Sequence, residues 1–188
     1  MIPGVPDLPS RTSIITLASL ALTLGAGCTQ PTPVATAETS DAPPPKIKEW
    51  MDRLTVAHEY DPKTGFIVAR EVVALPPLIA NAPSLDAAIA QAGSERIVIA
   101  FATADRCAPC QQYKRDALND AAVVARLSEQ RFLPTHVEVD RATDAAVAPL
   151  GARAIPMTYA FQDGKVIAQL RGQRSAAELL AWLDQLPR

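Results

Sequence analysis

The chain has 188 residues, 48% hydrophobic and 20% charged, the balance of one globular domain with room for a tail. Its formal net charge of -2, with no long basic run, gives nucleic-acid binding no electrostatic support. Aromatic residues make up only 5%, so the core rests on Ala, Val, Ile and Leu.

Residues 13–25, SIITLASLALTLG, follow Arg11 and precede AGC. A positive charge, an apolar stretch and then small residues have the form of a secretory signal. The stretch falls short of the roughly 20 apolar residues of a spanning helix. Its ending, LGAGC, resembles a bacterial lipoprotein signal, in which the cysteine, here Cys28, is lipidated and becomes the mature N-terminus. The resemblance implies a signal peptide over 1–27, a membrane lipid anchor at Cys28 and a periplasmic location. Thr29, where Asp would signal inner-membrane retention, leans toward the outer membrane. Residues 28–45 are rich in Pro, Thr, Ala and Ser, bury little and read as a disordered tether.

Residues 46–83 form an N-terminal extension. Ile47, Trp50, Met51 and Leu54 recur at helical spacing and predict a helix near 46–58, with Trp50 and Met51 on its core face and His58 at its end. DPKTG at 61–65 is a turn signal. FIVAREVVAL, 66–75, reads as a strand ended by Pro76 and Pro77; its weak alternation leaves its placement open, a sheet edge being one place for it.

From residue 84 the pattern is denser. Ser84 caps a helix with Leu85, Ala88, Ile89 and Ala92 on one side and Gly93 as its stop. RIVIAFAT, 96–103, is a short continuous apolar run, as in a strand buried on both faces. A helix follows over about 108–119, and Asn119 or Asp120 caps another containing Val123, Val124 and Leu127. RFLPTHVEVD, 131–140, reads as a strand carrying His136, and ATDAAVAPLGA as a short helix. MTYAFQDGKVIAQLRG, 157–172, is a hairpin turning at QDGK. Ser175 and Glu178 form a capping box, ahead of Leu179, Leu180, Leu183 and Leu186, while Trp182 joins a core face. Strand, helices, then strand implies a parallel pair, and the hairpin adds antiparallel strands. The expected class is α/β, a mixed sheet with helices on both faces.

Cys107 and Cys110, in ADRCAPC, can serve as a redox switch, half of a metal site or a structural staple. A staple closing so short a loop constrains the unfolded chain very little. A closed metal site wants three or four ligands, and beyond the cysteines only His58 and His136 offer imidazoles; each reads as structural or surface. No metal and no cofactor is therefore assigned. Redox exchange remains as the favoured reading. Cys107, at a helix N-terminus where backbone N–H groups favour a thiolate, is the expected nucleophile. Cys110, one turn on and more buried, is the expected resolving thiol. Lys114 and Arg115 read as a solvated helix face, and Asp105 as a solvated loop acid.

This order of elements, with ADRCAPC after a buried strand, Ile155-Pro156 in GARAIPM about 45 residues later, and DAAVVARLSEQRFLPTHVEVD between them, resembles the thioredoxin superfamily, in its secreted disulfide-reductase type. The resemblance covers about 84–188. It implies a thioredoxin fold, a Cys107–Cys110 disulfide, and a cis peptide at Pro156 that brings the Ile155 backbone beside the disulfide to pair with an extended substrate. Arg106 stands where the family usually carries Trp, and is assigned to partner binding. No carboxylate occupies Ala100, Phe101 or Ala102, where many members keep a buried acid, and Met157 replaces the usual Thr. The implied activity is thiol–disulfide exchange with exported proteins or a partner redox protein. The rival is a redox-inert docking module in an envelope complex.

Overall fold

The computed structural model describes residues 41–140, 150 and 154–187. The signal and tether expectations, including Cys28, and most of the helix expected over 142–152 lie outside the described residues. Strand β3, Ile97–Thr103, is buried along its whole length, and it organises the rest. It lies parallel to β4 (Phe132–Glu138) and antiparallel to β5 (Met157–Gln162), which pairs antiparallel with β6 (Lys165–Arg171). The order is β4-β3-β5-β6, a mixed sheet of four strands.

Alternation along a strand sends successive side chains to opposite faces. Ile97, Ile99 and Phe101 pack with Tyr113, Leu118, Leu127 and Leu179. Val98, Ala100 and Ala102 pack with Leu85, Ala88, Tyr159 and Phe161. Two cores therefore sandwich β3, which explains why its sequence is apolar throughout rather than alternating. One face carries α4 (Ala108–Tyr113), α5 (Ala121–Leu127) and α6 (Ala176–Asp184); the other carries α3 (Leu85–Ala92). Pro134, which lacks an N–H, sits in β4 at the edge of the sheet, where among the described residues no strand pairs with its outer side.

Local signals set the ends. Ser84 Oγ accepts the Ala87 N–H, and Asp120 accepts those of Ala122 and Val123. Ser175 and Glu178 complete their capping box. The β5–β6 turn places Asp163 at φ 51° and Gly164 at φ 71°, the left-handed pair a tight two-residue hairpin requires. Past α4 the chain continues as a π-helical turn, Lys114–Leu118, which the 3.6-residue period does not announce.

The extension departs from expectation. Helix α1 spans only Pro45–Met51 and buries none of its residues fully. Trp50 is 38% exposed rather than in a core; the apolar residues of the helix that pack on a small cluster of Leu54, Val56, Ile67 and Ala108 are Ile47 and Met51. Leu54 is buried, but in the turn that follows. His58 opens a strand, β1 (His58–Asp61), which pairs with β2 (Phe66–Ala69) in a separate two-stranded sheet. The expected 66–75 strand is thus short, and it does not add to the main sheet's edge. The turn between them is the one expected: Asp61 accepts from the Lys63 N–H and the Thr64 hydroxyl. Pro76 and Pro77 end the extended stretch by starting a short helix, α2 (Pro77–Ala80). Among the described residues no helix is long and apolar enough to cross a membrane.

Candidate functional site

The site stands where β3 runs out. Residues 104–106 form a loop, and Cys107 is the N-cap of α4, its Sγ accepting the Cys110 N–H at 3.2 Å. Cys107 is half-buried and Cys110 fully buried. The two are joined in a disulfide with Cα atoms 5.1 Å apart. Ala108 and Pro109 fill the first turn, where proline's missing N–H has no helical acceptor to lose.

The Ile155–Pro156 peptide is cis. Met157, the next residue, pairs with Ala102 near the end of β3. The cis proline and the cysteines are therefore at the same end of the sheet. Pro156 is buried and Ile155 half-buried. The Pro156 carbonyl is engaged by the Gly172 N–H at 2.9 Å, which ties this loop to the end of β6.

The loop before Cys107 is held from several sides. Glu138 Oε1 accepts the Asp105 N–H at 2.7 Å. Lys114 Nζ lies 3.2 Å from Asp105 Oδ1 and 3.7 Å from Glu138 Oε2. Against the expectation of a solvated face, the Lys114 side chain is 3% exposed. The reason is its pairing: two carboxylates from other elements meet it under the loop. Asp105, expected in solvent, is likewise half-buried. Burial pushes the Glu138 carboxyl above its ordinary range, against the pull of the Asp105 N–H and Lys114. His136 Nε2 is 2.7 Å from Thr103 Oγ1, and His58 Nδ1 is 2.7 Å from the Val56 carbonyl, so both imidazoles make structural contacts. Among the described residues no group of three or more His, Cys, Asp and Glu gathers to hold a metal ion.

Sequence reasoning missed the extension's part in this site. The Ala69 N–H donates to the Arg106 carbonyl at 2.8 Å, and Val68 faces Cys107 in an antiparallel bridge. Gln112 Oε1 accepts the N–H groups of Thr55 and Val56 at 2.8 and 3.1 Å. Gln111, wholly buried, accepts the Val73 N–H at 2.7 Å and donates to the Ala104 and Asp105 carbonyls at 3.1 Å each. Arg115 pairs with Glu71. Leu54, Val56 and Ile67 close over Ala108 in a small third core. The available signal was the pair of glutamines after Cys110: two amides on a helix otherwise facing the interior need backbone partners from somewhere. Arg106 itself is exposed. Asp61 sits low in pKa, first through the Thr64 hydroxyl and the Lys63 N–H, with Arg106 adding a smaller attraction from across the hairpin.

A family model described as a thioredoxin-like domain matches residues 84–187. No curated protein matches the chain. Among solved structures, it is similar to a thioredoxin from Thermus thermophilus, at 27% identity and a TM-score of 0.48, over 55% of this chain and 83% of that one. It is also similar to Fasciola hepatica thioredoxin, at 21% identity and TM-score 0.42, over 54% and 89% of the respective chains. A mutant thioredoxin from Halobacterium salinarum matches at 27% identity and TM-score 0.38, over 48% and 75%. With its mixed sheet, its Cys107–Cys110 pair at a strand-to-helix junction and a family match spanning more than half its length, the chain belongs to the thioredoxin-like domain family.

Proposed function

We propose that this protein is a thiol–disulfide oxidoreductase of the cell envelope. It exchanges disulfides with exported proteins or with a partner redox protein through Cys107 and Cys110. The observation that carries the reading is the asymmetry of the pair: Cys107 half-buried at the start of α4, and its disulfide partner Cys110 fully buried behind it. One sulfur is placed to meet a partner, and the other to resolve what forms.

In the dithiol form, the Cys107 thiolate attacks one sulfur of a partner disulfide. A bond forms from Cys107 to that sulfur, the partner's own S–S bond breaks, and its leaving sulfur takes a proton. The Cys110 thiolate then attacks Cys107 Sγ. The internal disulfide forms again, and the second partner sulfur leaves as a thiol. The partner gains two electrons and two protons, and a second dithiol protein returns the pair to its reduced state. Each step is reversible, so the same pair run backward delivers a disulfide to a partner dithiol. Ile155 offers its backbone to an extended substrate beside Pro156, and exposed Arg106 contacts the partner. Cys28 carries the lipid anchor, on the outer membrane by the Thr29 preference, and residues 28–45 tether the domain to it.

Reduction of insulin disulfides by the full chain, with a small dithiol as donor, tests the activity. Cys107→Ser is expected to abolish turnover, and Cys110→Ser to accumulate the mixed disulfide. Equal turnover from Cys107→Ser, or none from the wild type, overturns the reading. Partners recovered unchanged after loss of both cysteines would favour the docking-module rival. Incorporation of labelled fatty acid, lost in Cys28→Ser, tests the anchor.

A further inference from the structure

Resting on that reading, we propose that β2 of the extension is a component of the redox site, and that Val68 is a specificity-determining residue closing one flank of Cys107 to protein substrates. Val68 and Cys107 oppose each other in an antiparallel bridge. Opposed residues in such a pair project to the same face, with Cβ atoms about 4.5–5.5 Å apart. The Val68 isopropyl group therefore flanks the reactive sulfur. Ile67 and Ala69 turn the other way, into the small core with Leu54, Val56 and Ala108. That leaves Val68 and Phe66 on the outward face of β2, Val68 half-buried and Phe66 69% exposed.

The strand is fixed in this position. Its Ala69 N–H occupies the Arg106 carbonyl at 2.8 Å, so that acceptor is already engaged. Gln111 holds Val73, Gln112 holds Thr55 and Val56, and Arg115 holds Glu71. Three side chains within five residues of the redox helix and its π-helical continuation thus grip the extension at points on both sides of β2. A partner polypeptide approaching Cys107 meets Val68 on one flank and is admitted from the Ile155–Pro156 side. A small disulfide needs no room for flanking chain and reacts without regard to Val68.

The test compares two substrates on the full chain: insulin, and the small hydroxyethyl disulfide. Removing or adding methylene-sized bulk at a contact shifts discrimination measurably. Val68→Ala is expected to raise kcat/KM for insulin by about threefold or more, and Val68→Trp to lower it by at least as much. With either variant hydroxyethyl disulfide is expected to change by less than insulin, so the ratio of the two kcat/KM values shifts. Circular dichroism checks that each variant is folded; should Val68→Trp unfold the hairpin, Val68→Ala decides alone. Unchanged insulin rates overturn the proposal. So do parallel changes with both substrates, which would place the effect on Cys107 reactivity rather than access. Failure of the parent reading looks different: the wild type then exchanges with neither substrate, and both proposals fall.

Discussion

The side chain of Gln111 joins the backbone of Val73 to the loop that presents Cys107. Its Oε1 accepts the Val73 N–H at 2.7 Å, while its Nε2 donates to the carbonyls of Ala104 and Asp105. A primary amide is suited to this, because it carries an acceptor and two donors on one planar group.

Gln111→Met keeps the length of the side chain and removes all three bonds. The Ala104 carbonyl keeps the Cys107 N–H, so two backbone groups, the Val73 N–H and the Asp105 carbonyl, lose the amide as partner. Each group left unsatisfied costs about 1–3 kcal/mol, so the variant is expected to lose about 2–6 kcal/mol in urea unfolding. Hydrogen exchange at the Val73 amide is expected to speed up more than at residues of β3. A loss confined to within about 0.5 kcal/mol would show that water replaces the amide at little cost.

Glu138 sets a pH dependence. Its carboxyl is raised above the ordinary 4.5, chiefly by burial. A raised folded pKa means that ionising the group costs more in the folded chain than in the unfolded one. Its contribution to stability is then fully present below the unfolded value and lost as pH rises through the folded one. Glu138→Gln retains an oxygen acceptor for the Asp105 N–H but cannot ionise. The expected outcome is that the variant gains stability relative to wild type as pH rises from about 4 to 8, measured by urea unfolding across that range. A difference that is flat with pH, or that shifts in favour of the wild type as pH rises, contradicts the assignment.

Gly164 separates conformational from steric cost. It sits at φ 71°, and a Cβ added there would meet only Ile89 Cγ2 at 3.7 Å, an ordinary contact. Gly164→Ala therefore costs what the left-handed backbone costs, about 1–2 kcal/mol, with no added strain on α3. Thermal unfolding is expected to show that loss.

Much of the domain was legible because its signals are local. Ser84 and Ser175 cap within three residues, Asp163-Gly164 turns within two, and the apolar run of β3 announces burial on both faces by composition alone. The Cys107–Cys110 junction is of the same kind. The extension was not legible, for two reasons. Leu54 prolongs the helical spacing of Ile47, Trp50 and Met51, so the period runs on past the true end of α1 and reaches the start of β1. Its docking bonds also join residues 56 and 57 positions apart, such as Val56 and Thr55 with Gln112, and no window along the chain contains both ends. Lys114 is misread in the same manner. A lysine reads as solvated unless its carboxylates are seen, and Glu138 comes from a different strand.

The small core over Ala108 has a consequence for how such chains diverge. The family likeness begins at residue 84, yet Leu54, Val56 and Ile67 cover a residue of the redox helix, and Thr55, Val56 and Val73 satisfy its two glutamines. The boundary of the shared domain thus cuts across a unit that is physically one. In a relative lacking the extension, Ala108, Gln111 and Gln112 would face different neighbours. Here they are answerable to a segment that precedes the shared domain, so a substitution on one side of that boundary is felt on the other.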